Sequence, residues 1–107
     1  MAKVNGISVE IADSLFEKAS GLMMRKKIKP LLFDFRRDST ILCSIHTFFM
    51  LKPIDIVYIN SNKVVVQVIK ARPWRAYYPQ QKSRYVLELP AGMGKNFTTG
   101  KKITISI

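Results

Sequence analysis

Residues 54–59 read IDIVYI and, after three polar residues, residues 63–70 read KVVVQVIK. Short apolar runs rich in β-branched residues and bounded by turn formers indicate strands. Asn60, Ser61 and Asn62 join them, and Asn tolerates the left-handed backbone that tight turns require, so the pair predicts a β-hairpin. Alternation along the first strand puts Ile54, Ile56 and Tyr58 on one face and Asp55, Val57 and Ile59 on the other.

The same period recurs elsewhere. VNGISVEIA at 4–12 reads as a first strand with Ile7, Val9 and Ile11 on one face. LLFDF at 31–35, TILCSI at 40–45 and YVLEL at 85–89 follow, the last stopped by Pro90 and Gly92. KKITISI at 101–107 directs Ile103, Ile105 and Ile107 inward, with Thr104 and Ser106 outward. Between the first two strands the period changes. Ser14 and Glu17 form a capping box, Leu15, Phe16, Ala19, Leu22 and Met23 fall at helical spacing, and Arg25, Lys26 and Lys27 suit a helix C-terminus. One helix is predicted near residues 14–26. Seven short strands with one helix imply an α+β fold, mainly antiparallel, as a bent sheet or partly closed small barrel that hides its strand edges.

The length of 107 residues suits a single domain spanning 1–107. No apolar run approaches the ~18–20 residues of a membrane helix, so no membrane partner is expected. The start lacks the apolar core of a secretory signal, and the one cysteine, Cys43, excludes an internal disulfide; a cytoplasmic location is the default expectation. Charge changes the picture more. The chain carries 18 Lys and Arg against 7 acids, for a net +11. Residues 39–107 hold ten basic residues against Asp55 and Glu88 alone. Such a field attracts polyanions, although a lysine-rich surface also serves solubility.

Four segments, GLMMR at 21–25, LLFDF at 31–35, IHTFFMLKPIDIVYIN at 45–60 and VLELPAG at 86–92, stand in the order and spacing of a known family. Through them the chain resembles domain-of-unknown-function family 192, found in bacteria and archaea, and its His-Thr-Phe-Phe-Met form resembles the archaeal branch. The resemblance implies a compact, β-rich domain of no established activity. Bacterial relatives often follow a signal peptide, and no exported role is carried over to this chain.

Three constellations carry candidate chemistry. His46, Asp55 and Glu88 form a small-molecule or metabolite pocket if the fold brings them together, since a histidine beside a carboxylate can move protons near neutral pH. Each carboxylate lies on an otherwise apolar strand face, so the alternative is that it accepts backbone N–H groups of a loop or meets an arginine. No serine or cysteine sits in a nucleophile motif, so an enzyme is the less favoured reading and no catalytic residue is assigned. Cys43, His46 and Met50 make a C-x2-H-x3-M run but lack the second ligand pair of a zinc motif, so neither metal nor cofactor is expected.

The third constellation is KARPWRAYYPQQKSRY at 70–85, which contains no acid. Arg72, Arg75, Lys82 and Arg84 can contact phosphates while Trp74 and Tyr77 stack on unpaired bases. A long ordered connection whose rings cover the sheet is the structural alternative. From these residues the expected activity is non-enzymatic binding of an anionic polymer, RNA or single-stranded DNA, with a protein-interaction role through a strand edge still open.

Overall fold

The computed structural model describes residues 2–12, 29–39, 45–46 and 52–106. Among these, ten strands and one 3-10 turn are formed: β1 (Lys3–Val4), β2 (Ile7–Ser8), β3 (Glu10–Ala12), β4 (Leu31–Ser39), β5 (Ile45–His46), β6 (Ile54–Ile59), β7 (Val65–Ala71), β8 (Ala76–Tyr77), β9 (Ser83–Pro90), the turn Met93–Asn96 and β10 (Ile105–Ser106). The helix expected near 14–26 lies outside the described residues, as do Cys43, Met50 and most of TILCSI.

The largest sheet has the order β3-β4-β9-β6-β7. Its inner strands follow from their sequences. Every residue of β6 is buried, because a run apolar on both faces apart from Asp55 suits a strand covered on both sides. Fully burying a Val, Leu or Ile side chain is worth roughly 1.5–3 kcal/mol, so β6 and β9 anchor the fold. On one face Leu31, Phe33, Ile54, Ile56, Tyr58, Ala71 and Val86 pack together. On the other, Leu32, Val57, Ile59, Val65, Leu87 and Leu89 meet Val4, Phe97 and Ile103. The alternation expected for residues 54–59 is therefore the observed one.

The β6–β7 hairpin also forms, but its left-handed residue is Lys63, with φ 62. Asn60 acts through its side chain instead: Oδ1 accepts from the N–H of Asn62 and of Val64, each at 3.0 Å. This is the local side-chain bonding that favours Asn in turns.

One expectation needs correcting. Residues 4–12 are not one strand. Asn5 (φ 49) and Gly6 (φ 81) make a tight turn between β1 and β2, and the chain then leaves that ladder to become β3. Asn-Gly is the sequence best suited to such a turn, because both central residues need positive φ. The sheets are mainly antiparallel, as expected, with one parallel ladder: β3 pairs with β4, Ile11 opposite Leu32.

The small sheet, ordered β10-β1-β2, is linked to both edge strands of the large one. Val65 N–H donates to the Lys101 carbonyl and Gly100 N–H to the Val65 carbonyl, so residues 100–103 stitch the start of β7 to β10. On the other side Val9 links β2 to β3. No ladder among the described residues closes these sheets into a barrel.

Candidate functional site

Asp55 is 3% exposed. Its Oδ2 accepts two backbone hydrogen bonds, from Gly92 and from Gly94, both at 2.8 Å. Gly92 (φ 96) and the turn Met93–Asn96 follow β9, so this carboxylate fastens the turn against the sheet. Charge-assisted bonds to N–H groups at a turn are shorter and about twice as strong as neutral ones. Loop pinning accounts for Asp55.

Glu88, 4% exposed, points the other way. Directly paired residues share a face, and the register sets Asp55 opposite Leu89 and Ile56 opposite Glu88. The two carboxylates therefore project from opposite faces of one sheet. The pocket expected from His46, Asp55 and Glu88 is corrected on this point, because a one-residue offset on a strand reverses the face. The backbone of His46 pairs with Ala76 in the separate β5–β8 ladder. Among the described residues no three His, Cys, Asp or Glu side chains gather as metal ligands.

The segment after β7 is a folded loop. Arg72 N–H donates to Tyr77 Oη at 2.8 Å, closing residues 72–77 into a tight excursion. Trp74 occupies its apex with φ 63, a conformation that bulky residues rarely adopt. Tyr77 then pairs with Ile45, and Gln80 N–H donates to Gln67 Oε1 at 2.9 Å, fastening the return to β7. Between these anchors Trp74 is 58% and Tyr78 66% exposed. Lys70, Arg72, Arg75 and Lys82 are exposed around them. Tyr77 is only half-exposed and serves the loop, so Tyr78 joins Trp74 as an outward ring that was not among the expected contacts.

Arg84 is half-buried and forms a two-pronged ion pair. Its Nε donates to Asp34 Oδ1 at 2.9 Å and its Nη2 to Oδ2 at 3.1 Å. The guanidinium also lies 4.9 Å from the centre of the Tyr85 ring. Burial pushes the Asp34 carboxyl up, but the Arg84 contact, the Arg36 N–H and the charges of both arginines outweigh it and hold the group below its ordinary value. Bonding to Asp34 likewise raises Arg84 against a smaller loss from burial. Arg84 is thus committed to a carboxylate 50 residues away in the chain. Nothing in the local pattern of LLFDF announced that partner.

A shallow open cleft of about 320 Å³ lies elsewhere, lined by Ser8, Val9, Glu10, Lys29 and Pro30. It contains none of the expected site residues. No helix among the described residues is long and apolar enough to cross a membrane.

These features define a β-rich fold carrying a basic, ring-bearing loop beside a pinned glycine turn. The family model for domain-of-unknown-function family 192, described as uncharacterized ACR, matches residues 1–105, and the chain belongs to this family. A UPF0127 protein of Pyrococcus abyssi is 42% identical over 87 residues, covering 81% of this chain and 74% of that protein. A UPF0127 protein of Pyrococcus horikoshii is 44% identical over 85 residues, covering 79% and 74% respectively. A crystal structure from Sinorhizobium meliloti 1021, of a protein provisionally described as a transcription regulator, superposes with a TM-score of 0.82 at 24% identity, over 92% of this chain and 81% of that one. At that identity the likeness speaks for the fold alone.

Proposed function

We propose that the chain binds single-stranded nucleic acid, RNA or DNA, through the loop at residues 70–82. The observation that supports this most is Trp74: an indole 58% exposed, at φ 63, set between Arg72 and Arg75. A bulky residue kept in a sparsely populated conformation at the apex of an anchored loop is a feature associated with ligand contact. Exposed rings stack on unpaired bases, and the cations around them track the phosphates. The loop is tied at both ends by the Tyr77 and Gln67 hydrogen bonds, so little ordering cost is expected on binding. Arg84, held by Asp34, stands outside the primary contact set.

The test is titration of a fluorescent single-stranded RNA at a series of salt concentrations. Neutralising about four phosphates with Lys70, Arg72, Arg75 and Lys82 corresponds to a slope of about −3 or steeper in log affinity against log salt. The variant Arg72→Ala/Arg75→Ala/Lys82→Ala should lose most of that binding while still unfolding cooperatively. Undiminished binding by that variant, or wild-type binding abolished by modest salt, overturns the reading.

A further inference from the structure

The ladder between β4 and β9 is regular from Leu31 to Asp34, opposite Glu88 to Tyr85, and resumes with Ser39 opposite Ser83. Between these points β9 contributes one residue, Arg84, whereas β4 contributes four: Phe35, Arg36, Arg37 and Asp38. The excess chain bulges outward. Arg36 takes φ 67, and its N–H donates to Asp34 Oδ1 at 2.8 Å, a turn closed by the same carboxylate that holds Arg84. Asp38 Oδ1 is taken up by the Ser61 N–H at 3.0 Å. Arg36 and Arg37 are both exposed. Arg84 and the distant pair Arg36 and Arg37 therefore meet at one point of the sheet, at the C-terminal end of the loop described above, with Asp34 and Asp38 already engaged.

Resting on the nucleic-acid reading above, we infer that the β4 bulge extends the binding face, with Arg36 and Arg37 as additional phosphate contacts beyond the 70–82 loop. Bulges characteristically re-aim side chains at strand edges and functional sites, and the left-handed residue here is an arginine where Asn or Gly would be the unstrained choice. Arg84 joins the two basic groups through the chain: Lys82 precedes it by two residues, and Arg36 and Arg37 lie across the ladder from it. A strand of nucleic acid following the loop would reach the bulge with its phosphates, not its bases, because Arg36 and Arg37 are exposed there, Asp38 is engaged by the Ser61 N–H and Phe35 packs toward the core.

The experiment compares salt slopes for the same labelled single-stranded RNA. Six neutralised phosphates correspond to a slope of about −4, and removing two contacts returns it to about −3. Arg36→Gly/Arg37→Ala removes both guanidinium groups while suiting the left-handed backbone, and Arg37→Ala alone tests one contact at a position of ordinary φ. A fall in the slope of about 1.4 for the pair and about 0.7 for the single variant is expected, each roughly 0.7 per phosphate on a single strand. Arg36→Lys/Arg37→Lys should keep the wild-type slope. An unchanged slope in the pair, while the loop variant loses binding, overturns the extension and leaves the loop reading standing. Wild-type protein that does not bind the RNA overturns both.

Discussion

Gly94 approaches Asp55 so closely that a Cβ placed on it would lie 2.8 Å from Oδ2, 3.0 Å from the Asp55 Cβ and 3.1 Å from Cγ. The glycine and the carboxylate are one device: the first must lack a side chain for the second to receive its N–H. Gly94→Ala is expected to destabilise by about 2–3 kcal/mol, in the range of overpacking a filled interior. Gly92→Ala and Gly100→Ala meet open space and suffer only from their positive φ, which costs roughly 1–2 kcal/mol. Urea unfolding of the three variants should rank Gly94→Ala as the most damaging.

Asp55→Ala removes the acceptor of two backbone N–H bonds, one buried and one part-buried. Hydrogen bonds to charged groups contribute about 1.5–3 kcal/mol each, so a loss of roughly 3 kcal/mol or more is expected. Asp55→Asn keeps an acceptor without the charge and should cost less than half as much. The denaturation midpoint decides the order; equal stability of Asp55→Ala and wild type would remove the pinning role.

The Asp34–Arg84 pair gives stability a pH dependence. Asp34 is held below its ordinary value in the folded chain, while its unfolded value is about 3.9. Above about pH 3.9 both states are ionised and the whole contribution is present. As pH falls toward the folded value, the unfolded chain takes up the proton first, so stability declines. Below the folded value nothing is left. Asp34→Asn should flatten this part of the acid unfolding curve, and a slope identical to wild type would refute the assignment.

Lys63 occupies the left-handed region in the β6–β7 turn, where a Cβ is unfavourable. Lys63→Gly relieves strain, partly offset by the greater conformational entropy of glycine in the unfolded chain, for a net gain of about 0.5–1 kcal/mol. A raised urea midpoint with an unchanged m value is the expected outcome. A lowered midpoint would show that the lysine stem contributes packing there.

Trp74 is the chain's one tryptophan, so its fluorescence reports directly on the loop. Stacking on a base should quench it on addition of single-stranded RNA, and Trp74→Ala should weaken binding by about 1–3 kcal/mol. Duplex RNA of equal charge should quench far less. Equal quenching by both would point to charge rather than ring stacking.

Much of the fold was legible because strand periodicity is a local property. The face assignments in residues 54–59 and the hairpin to β7 follow from neighbours within about fifteen positions, and both are observed. The carboxylate of Asp55 on an apolar face already required a partner, and a loop N–H was one of the two kinds expected. The Asn5-Gly6 turn was legible too, but the alternation running through it masked the break. The family assignment rested on four short segments, and the family model spans 1–105.

What the local pattern did not carry was the choice of partners across the sheet. Period-2 alternation is indifferent to whether a neighbour is parallel, so the β3–β4 pairing was invisible. It is equally silent on register, and register alone sends Asp55 and Glu88 to opposite faces. The commitment of Arg84 to Asp34 and the four-against-one bulge that gathers Arg36 and Arg37 beside it depend on chain segments 50 residues apart. The reason is physical. A strand's side-chain directions are set by its own backbone, whereas its hydrogen-bonding edge is satisfied by any strand, and which one wins is decided by how both faces of the whole sheet are buried.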